Sequence, residues 1–233
     1  MHEPKVLGLV PARSGSKGIK NKNTIEFNGF PLIHWCARSL VHAKKIGYRM
    51  CSTNDLYIAD LAKKSGLEVP FLRPSHLARD ETLIVDVIKD TLLQLSSKNN
   101  LSFSHVALIQ PTSPTVLPED IDGAIRLSVR EDADTVITGC RVGQKHPAAM
   151  YTVSETGQVT WLINDENRMA RRQDLHSVFV RTGLVYVIKA SLVLEQEKIY
   201  GPKVCSYEIP EERAVTIDSY YDLKLAKYMM EEN

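Results

Sequence analysis

Short runs of apolar residues alternate along the chain with longer segments whose apolar positions recur three or four residues apart. The run at 5–10 has the length of a buried strand, and the segment 31–43 carries apolar side chains at helical spacing. The cycle then repeats. Further strands are predicted at 49–52, 68–72, 105–109, 135–140, 185–188, 204–209 and 214–217, and further helices at 55–65, 82–95, 118–129 and 219–230. This alternation predicts an α/β fold with a doubly wound, mostly parallel sheet that helices cover on both faces.

The pattern changes after residue 147, where the apolar runs become shorter. Two of them, 150–153 and 159–162, flank the sequence SETG and predict a β-hairpin. The segment 164–177 is polar and basic without periodicity, so it is predicted to be a loop or an arm. We therefore expect one domain over residues 1–233, with a small β-rich insertion or arm at about 147–184.

The composition is that of an ordinary globular protein, and it excludes several classes of partner. A hydrophobic fraction of 43% and a charged fraction of 24% argue against disorder and against a fibrous repeat. The 29 basic residues are balanced by 28 acidic ones, so the protein has no large net charge that would attract it to nucleic acid or to an anionic membrane. Neither is expected as a partner. An anionic ligand must instead be bound by local groups.

The N-terminal apolar run and the cysteines both predict a cytoplasmic protein. The run is too short for a signal sequence or a membrane span. The cysteines are scattered without zinc-ligand spacing, which predicts buried, reduced thiols. They are Cys36, Cys51, Cys140 and Cys205.

The loop VPARSGSKGIKNKN, which follows the first predicted strand, is suited to a polyphosphate. Ligands of open parallel sheets bind beyond the carboxyl ends of the strands, which is where this loop lies. Gly15 and Gly18 let the backbone approach a phosphate closely. Positive charge comes from Arg13, Lys17, Lys20 and Lys22. The loop matches neither the Walker pattern nor the dinucleotide-binding pattern. A solvated basic loop is the structural alternative.

On these residues the sequence resembles the acylneuraminate cytidylyltransferases, which make CMP-sialic acids, and the related CMP-Kdo synthetases. The resemblance continues through STND (52–55), LRPSHLARDET (72–82), QPTSP (110–114), HP (146–147), RRQDLHSVFVRTGLVY (171–186) and TIDSYYDL (216–223). It implies a Rossmann-like nucleotidyltransferase fold and a homodimer, with the β-rich insertion as a dimerisation element or lid. It also implies CTP and an acidic nine-carbon sugar as substrates, with Mg²⁺ or Mn²⁺ as cofactor.

The resemblance implies a nucleotide site in the first loop, with Arg13 and Lys22 on the phosphates and Lys20 solvated. Arg73 is implied to contact the cytosine, although an arginine before a turn-forming proline also fits the sequence. Asp80 and Thr82 fit a helix cap as well as a ligand contact. The implied nucleotide-binding set is Ala12, Arg13, Ser16, Lys17, Lys22, Asn23 and Arg73, and the implied catalytic set is Arg13, Lys22 and Asp218.

The resemblance also implies a sugar site, because the QPTSP segment and the later basic segment meet the acceptor in the family. Arginine suits the sugar carboxylate, since it donates paired hydrogen bonds. The implied sugar-binding set is Gln110, Arg172, Gln173 and Arg181. QPTSP also fits a rigid turn alone. Thr182 stands where the family often has Asn, which leaves the accepted sugar open. His146 is expected to be structural, in a turn.

Many relatives carry Asp-x-Asp before the last helix, where this chain has Thr216, Ile217 and Asp218. Alternation along a strand puts positions 216 and 218 on one face, so both can address a single ion. Magnesium is often held by one or two carboxylates, with waters and substrate phosphates completing the shell. We expect Asp218 to ligate the metal and Thr216 to act through a water. The alternative makes Asp218 a cap of the final helix.

The resemblance therefore implies transfer of CMP from CTP to the anomeric hydroxyl of a sialic acid-type sugar, with release of pyrophosphate. Two alternatives stay open at this point. One is a CMP-Kdo-type or other CMP-sugar synthetase. The other, suggested by the missing first Asp, is a catalytically silent nucleotide-binding or dimerising module.

Overall fold

The computed structural model describes residues 4–15, 18–143, 145–163 and 175–231. The strands in these residues are β1 (Val6–Pro11), β2 (Glu26–Phe27), β3 (Phe30–Pro31), β4 (Tyr48–Ser52), β5 (His105–Ile109), β6 (Thr135–Arg141), β7 (Tyr151–Val153), β8 (Val159–Trp161), β9 (Phe179–Lys189) and β10 (Val204–Glu208). The α-helices are α1 (Leu32–His42), α2 (Leu56–Lys64), α3 (Ile84–Asn99), α4 (Pro118–Glu131), α5 (Ala190–Gln196) and α6 (Tyr220–Glu231).

A central sheet has the strand order β10-β6-β9-β5-β1-β4. β1 pairs in parallel with β4 and β5, and β10 pairs in parallel with β6. β9 lies between β5 and β6 and runs antiparallel to both. The predicted α/β class with a mostly parallel sheet is confirmed, with β9 as the antiparallel member.

Alternate residues of the strands pack into two different cores, one on each face of the sheet. Val6 and Val10 of β1 face α1, α2 and α4, whereas Leu7 and Leu9 face α3 and α5. A third cluster lies beside the first loop, where Ala226 of α6 packs with the parts of the chain that flank the loop. Leu223, Met229 and Met230 of α6 are partly buried against the same cluster, so burial of apolar surface fixes α6 beside that loop.

Two predicted strands are wrong. Glu68 forms only an isolated bridge with Met50, and Pro70 cannot donate a further ladder bond. Residues 214–217 lie outside the sheet. They pack on the loop after β5, where Ile217 N donates to Thr112 O at 2.9 Å. The remaining predicted strands and helices are confirmed within a few residues at their ends, although β9 begins earlier than predicted. α5 was missed.

The predicted hairpin is present as β7 and β8, which pair antiparallel outside the central sheet. Its apolar side chains are largely exposed, among them Tyr151, Val153 and Trp161. The four cysteines are free thiols, and all but Cys205 are buried. Burial raises the pKa of the Cys51 thiol to about 12, so that thiol stays protonated. Over the described residues, no helix combines the length and apolarity needed to cross a membrane.

Candidate active site

A cavity of about 660 Å³ opens beyond the carboxyl ends of β1 and β5, where open α/β sheets bind ligands. Its walls come from the loop after β1, the loop after β5, a bulge in β9 and the segment before α6. The fold therefore gathers predicted residues from both ends of the sequence. Those in the lining are Arg13, Lys22, Asn23, Gln110, Arg181 and Asp218, together with Thr216.

The loop after β1 is shaped by asparagine side chains. Asn54 receives a hydrogen bond from Ser14 N at 3.1 Å and donates one to Ser14 Oγ at 2.8 Å. Asn23 is buried and donates from Nδ2 to Arg13 O at 2.9 Å. Gly15 has φ of 72°, in the left-handed region that glycine enters without strain. The loop is thus held in shape by its neighbours. Asn54 belongs to the STND segment, but the sequence pattern alone does not predict this role for it.

Arg13 lies at the cavity wall, and its guanidinium already has partners. It forms an ion pair with Asp80 and donates to Gly15 O at 2.8 Å. The pair is partly exposed, so it contributes only about 0–1 kcal/mol and can be exchanged for a phosphate at little cost. The two neighbouring predictions, Ser16 and Lys17, lie outside the described residues. Lys20 is exposed, as expected of a solvated lysine.

Lys22 and Asp218 also meet at the wall of this cavity, where Lys22 Nζ lies 2.8 Å from Asp218 Oδ1. The Lys22 side chain is 16% exposed and that of Asp218 is 73% exposed, so the carboxylate faces the open cavity. Glycine at position 18 lets the first loop come close to the backbone of Asp218, because a Cβ at this position would lie only 2.7 Å from Asp218 O. The first loop and the segment before α6 therefore form one surface.

The N-terminus of α6 is capped by Ser219 and Asp222. Asp222 Oδ2 accepts from Ser219 N at 2.7 Å and from Asp218 N at 3.0 Å, while Ser219 Oγ accepts from Asp222 N at 3.2 Å. This reciprocal pattern is a capping box. Burial raises the pKa of the Asp222 carboxyl, but these hydrogen bonds outweigh it and hold the pKa below its usual value. The Asp218 side chain binds Lys22, and a cap role does not account for it.

The oxygen ligands near Asp218 suit a hard divalent cation that also binds substrate phosphates. Thr216 Oγ1 donates to Thr182 O at 2.9 Å, so its lone pairs stay available to accept from a metal-bound water. Across the described ranges, no group of three or more Asp, Glu, His or Cys side chains gathers to form a complete site. One carboxylate and one hydroxyl fit Mg²⁺ only if phosphate oxygens and waters complete the shell.

The part of the cavity where the sugar is predicted to bind is formed by Gln110 and by a bulge in β9. Ile137 of β6 pairs with Tyr186 of β9, whereas Gly139, two residues further along β6, pairs with Arg181. A step of two residues in β6 thus corresponds to a step of five residues in β9. Arg181 Nη1 donates to Tyr200 Oη at 2.5 Å, which raises the pKa of the guanidinium and keeps it charged. The other two predicted sugar ligands, Arg172 and Gln173, lie outside the described residues.

Arg73 and Ala12 are buried beside the cavity. Arg73 donates from Nε to Ser52 Oγ at 3.0 Å and from Nη2 to Ser52 O at 2.5 Å. Burial lowers the pKa of the guanidinium to about 10, so it still carries a charge at neutral pH. Ala12 N donates to the same carbonyl at 2.9 Å. The structure thus gives Arg73 a supporting role under the first loop, and its contact with cytosine stays a prediction.

Three smaller predictions can be judged from local contacts. α3 begins at Ile84, after Asp80 and Thr82, so neither residue caps it. Thr82 Oγ1 donates to His76 O at 3.3 Å. His146 accepts from Ala148 N at 3.2 Å in a short turn, which agrees with the structural role expected for it.

Several known proteins similar to this chain are named as cytidylyltransferases or CMP-sugar synthases. A family model described as cytidylyltransferase matches residues 7–201. A pseudaminic acid cytidylyltransferase from Campylobacter jejuni is 26% identical over 229 residues, which are 98% of this chain and 97% of that protein. A CMP-N,N'-diacetyllegionaminic acid synthase from the same species is 26% identical over 226 residues, 97% of this chain and 95% of that protein.

The fold has a solved counterpart. The structure of a CMP:2-keto-3-deoxy-manno-octonic acid synthetase complexed with CTP matches 98% of this chain and 99% of that chain, with a TM-score of 0.73 and 11% identity. At that identity the match concerns the fold alone, and it agrees with the predicted nucleotidyltransferase fold.

Proposed function

This chain belongs to the cytidylyltransferase family, and we propose that it transfers CMP from CTP to the anomeric hydroxyl of a nonulosonic acid, releasing pyrophosphate. The observation that carries the proposal is the meeting of Arg13, Lys22 and Arg181 in one cavity. Two cations from the first loop suit a triphosphate, and a third across the cavity suits an acidic sugar. Relatives of nearly the same length act on nine-carbon acidic sugars, which supports the substrate class.

In the proposed reaction the sugar oxygen attacks the α-phosphorus of CTP. The bond between that phosphorus and the bridging oxygen breaks, pyrophosphate leaves with the electron pair, and the hydroxyl proton passes to water. Positioning and charge neutralisation dominate such reactions. Arg13 and Lys22 neutralise charge that builds up on the leaving pyrophosphate, and each exchanges its carboxylate partner for phosphate oxygens. The residues implied beside them are Ala12, Ser16, Lys17, Asn23 and Arg73.

We further propose that Mg²⁺, or Mn²⁺, is the cofactor, held by Asp218 and by the triphosphate, with Thr216 accepting a hydrogen bond from a bound water. When bound, the ion neutralises negative charge on the phosphates. The exposed Asp218 carboxylate and the donor set beside it support this assignment.

The sugar is proposed to bind between the loop after β5 and the bulge of β9. Gln110 can both donate to and accept from its hydroxyl or amide groups. Arg181 is proposed to bind the carboxylate, assisted by Arg172 and Gln173. The hydrogen bond to Tyr200 fixes the guanidinium of Arg181 at the cavity wall, which suits a paired contact with carboxylate.

We also propose that the protein is a homodimer in which the hairpin of β7 and β8 contacts the neighbour. Exposed apolar side chains concentrated on this hairpin support the proposal, because monomers rarely expose large apolar patches. Light scattering of wild type and a Val153→Lys variant tests it. A molar mass equal to one chain in both proteins would contradict it.

We propose a cytoplasmic location for the protein, which the proposed use of CTP favours.

The function is tested by pyrophosphate release from CTP with a panel of acidic sugars, at fixed magnesium and with UTP as the nucleotide control. The panel contains pseudaminic, N,N'-diacetyllegionaminic and N-acetylneuraminic acids and Kdo. Turnover of a nine-carbon acid and not of Kdo supports the proposal, whereas preference for Kdo supports the alternative synthetase. Binding of CTP without turnover of any sugar would indicate a silent nucleotide-binding module.

A further inference from the structure

Three threonines connect the metal side of the proposed site to the sugar side. Thr216 Oγ1 donates to Thr182 O in β9 at 2.9 Å. Thr182 Oγ1 in turn lies 2.8 Å from Oγ1 and 3.1 Å from O of Thr138 in β6. These three threonines therefore join the segment before α6, the bulge of β9 and strand β6.

Thr138 lies where the pairing of β6 with β9 is interrupted. Its hydroxyl accepts from Val185 N at 3.1 Å and donates to Val185 O at 3.2 Å, besides its contact with Thr182. A hydroxyl has one proton and two acceptor sites, and all three are used here. One side chain thus replaces the backbone pairing that the bulge removes. Thr138 is 1% exposed, so it does not reach a ligand in the cavity.

Thr182 lines the cavity, but its hydroxyl proton is donated to Thr138. What Thr182 contributes is its position. Arg181 precedes it in the bulge, and Gly183 follows with φ of 73°. The bond from Thr182 to Thr138 therefore fixes the backbone that carries Arg181, and the Thr182 carbonyl fixes Thr216.

We propose that Thr138 is a positioning residue of the transfer reaction, because through Thr182 it sets Arg181 and Thr216 relative to each other. The inference rests on the proposed function for its sugar side. It has a distinctive consequence. Loss of the Thr138 hydroxyl weakens the sugar side and the metal side together, whereas loss of a direct ligand contact affects one of them.

The test compares Thr138→Val, which keeps the shape and removes the hydroxyl, with Thr138→Ser, which keeps the hydroxyl. Thr91→Val is the matched control, because Thr91 is also fully buried and donates to Val87 O at 2.7 Å within α3. Two quantities are measured for each folded variant. The first is the magnesium concentration at which CTP binding is half-maximal, determined by calorimetry without sugar. The second is the KM for the acceptor sugar at saturating CTP.

We expect Thr138→Val to raise both quantities by about two- to tenfold, the factor that one neutral hydrogen bond commonly represents. Thr138→Ser should restore both, and Thr91→Val should change neither while lowering thermal stability. A Thr138→Val protein that matches Thr91→Val in both measurements overturns the proposal.

Failure of the proposed function is distinguishable from failure of this inference. If wild type turns over no acidic sugar, the function is wrong, and the magnesium dependence of CTP binding still decides the role of Thr138. If Thr138→Val does not fold, Thr182→Val and Thr182→Ser provide the same comparison from the other end of the bond. Wild-type values of both quantities in Thr182→Val would overturn the proposal.

Discussion

Replacing Asp218 by asparagine separates a chemical role of this residue from a structural one. The change removes one negative charge and keeps the size and shape of the side chain. The carboxylate is 73% exposed and contacts Lys22, whereas the cap of α6 is provided by Ser219 and Asp222. We therefore expect Asp218→Asn to fold normally and to lose almost all turnover.

The two magnitudes can be worked out separately. An ion pair as exposed as that of Lys22 and Asp218 contributes about 0–1 kcal/mol. Its loss should lower Tm by no more than about 2–4 °C in a protein of this size. A unit charge about 4 Å from a monovalent cation contributes about 4 kcal/mol at an effective dielectric constant near 20, and more for a divalent ion. That energy corresponds to roughly a thousandfold loss of turnover.

Asp222→Ala is the matched control, because it removes the carboxylate that caps α6. It should cost about 0.5–2 kcal/mol of stability and keep turnover within about tenfold of wild type. The assay is pyrophosphate release as a function of magnesium concentration, with thermal melts of each variant. A near-normal rate and metal dependence in Asp218→Asn would show that the metal assignment is wrong.

The remaining predictions concern both walls of the cavity and the cap of α6. Arg13→Ala should lower kcat/KM by about a hundredfold or more. The control Arg130→Ala, which removes an exposed ion pair of α4, should leave kcat/KM unchanged. An unchanged kcat/KM in Arg13→Ala would show that Arg13 is not part of the site. Arg181→Lys should raise the KM for the sugar more than that for CTP, because lysine donates no paired bonds; a rise for CTP alone contradicts the sugar assignment. Thr216→Asp should shift magnesium activation to lower concentration, whereas Thr216→Ala should impair turnover less than Asp218→Asn does; an unchanged activation curve in Thr216→Asp separates this position from the metal. The stability difference between wild type and Asp222→Ala should be complete above about pH 4, the ordinary pKa of an aspartate, and should shrink as pH falls through the depressed pKa of the folded protein; a difference that stays constant in melts from about pH 6 to about pH 2 excludes the ionised carboxylate as its source.

Most of the fold could be predicted because its strands and helices carry strong periodic signals. The failures have local causes. Residues 68–72 are apolar enough for a strand, but only Glu68 is in register with β4 and Pro70 ends the pairing. In the short helix Ala190–Gln196 the apolar residues follow those of a buried strand with only Lys189 and Ser191 between them, so periodicity could not separate the two.

The site was predictable only where local sequence carries the chemistry. Glycines and cations close together marked the first loop as suited to a polyphosphate. Contacts that join distant segments left no such signal. The ion pair of Arg13 with Asp80 and the hydrogen bonds between Asn54 and Ser14 depend on the order of strands in the sheet. A single sequence does not give that order.

The segment before α6 was predicted to be a strand, and the actual structure changes what a substitution at 216 should do. Thr216 donates to Thr182 O, and Ile217 N donates to Thr112 O, so the segment is held from two sides of the cavity. A carboxylate at 216 has no proton to donate and would face the Thr182 carbonyl oxygen, so the bond is lost and two acceptors oppose each other. Thr216→Asp should therefore lower the magnesium requirement and raise the KM for the sugar in the same protein. Thr216→Ser, which keeps the donor, should change neither by more than about twofold. If Thr216→Asp lowers the magnesium requirement without weakening the sugar, the bond to Thr182 does not position the bulge of β9, and the coupling between the two sides of the cavity must be abandoned.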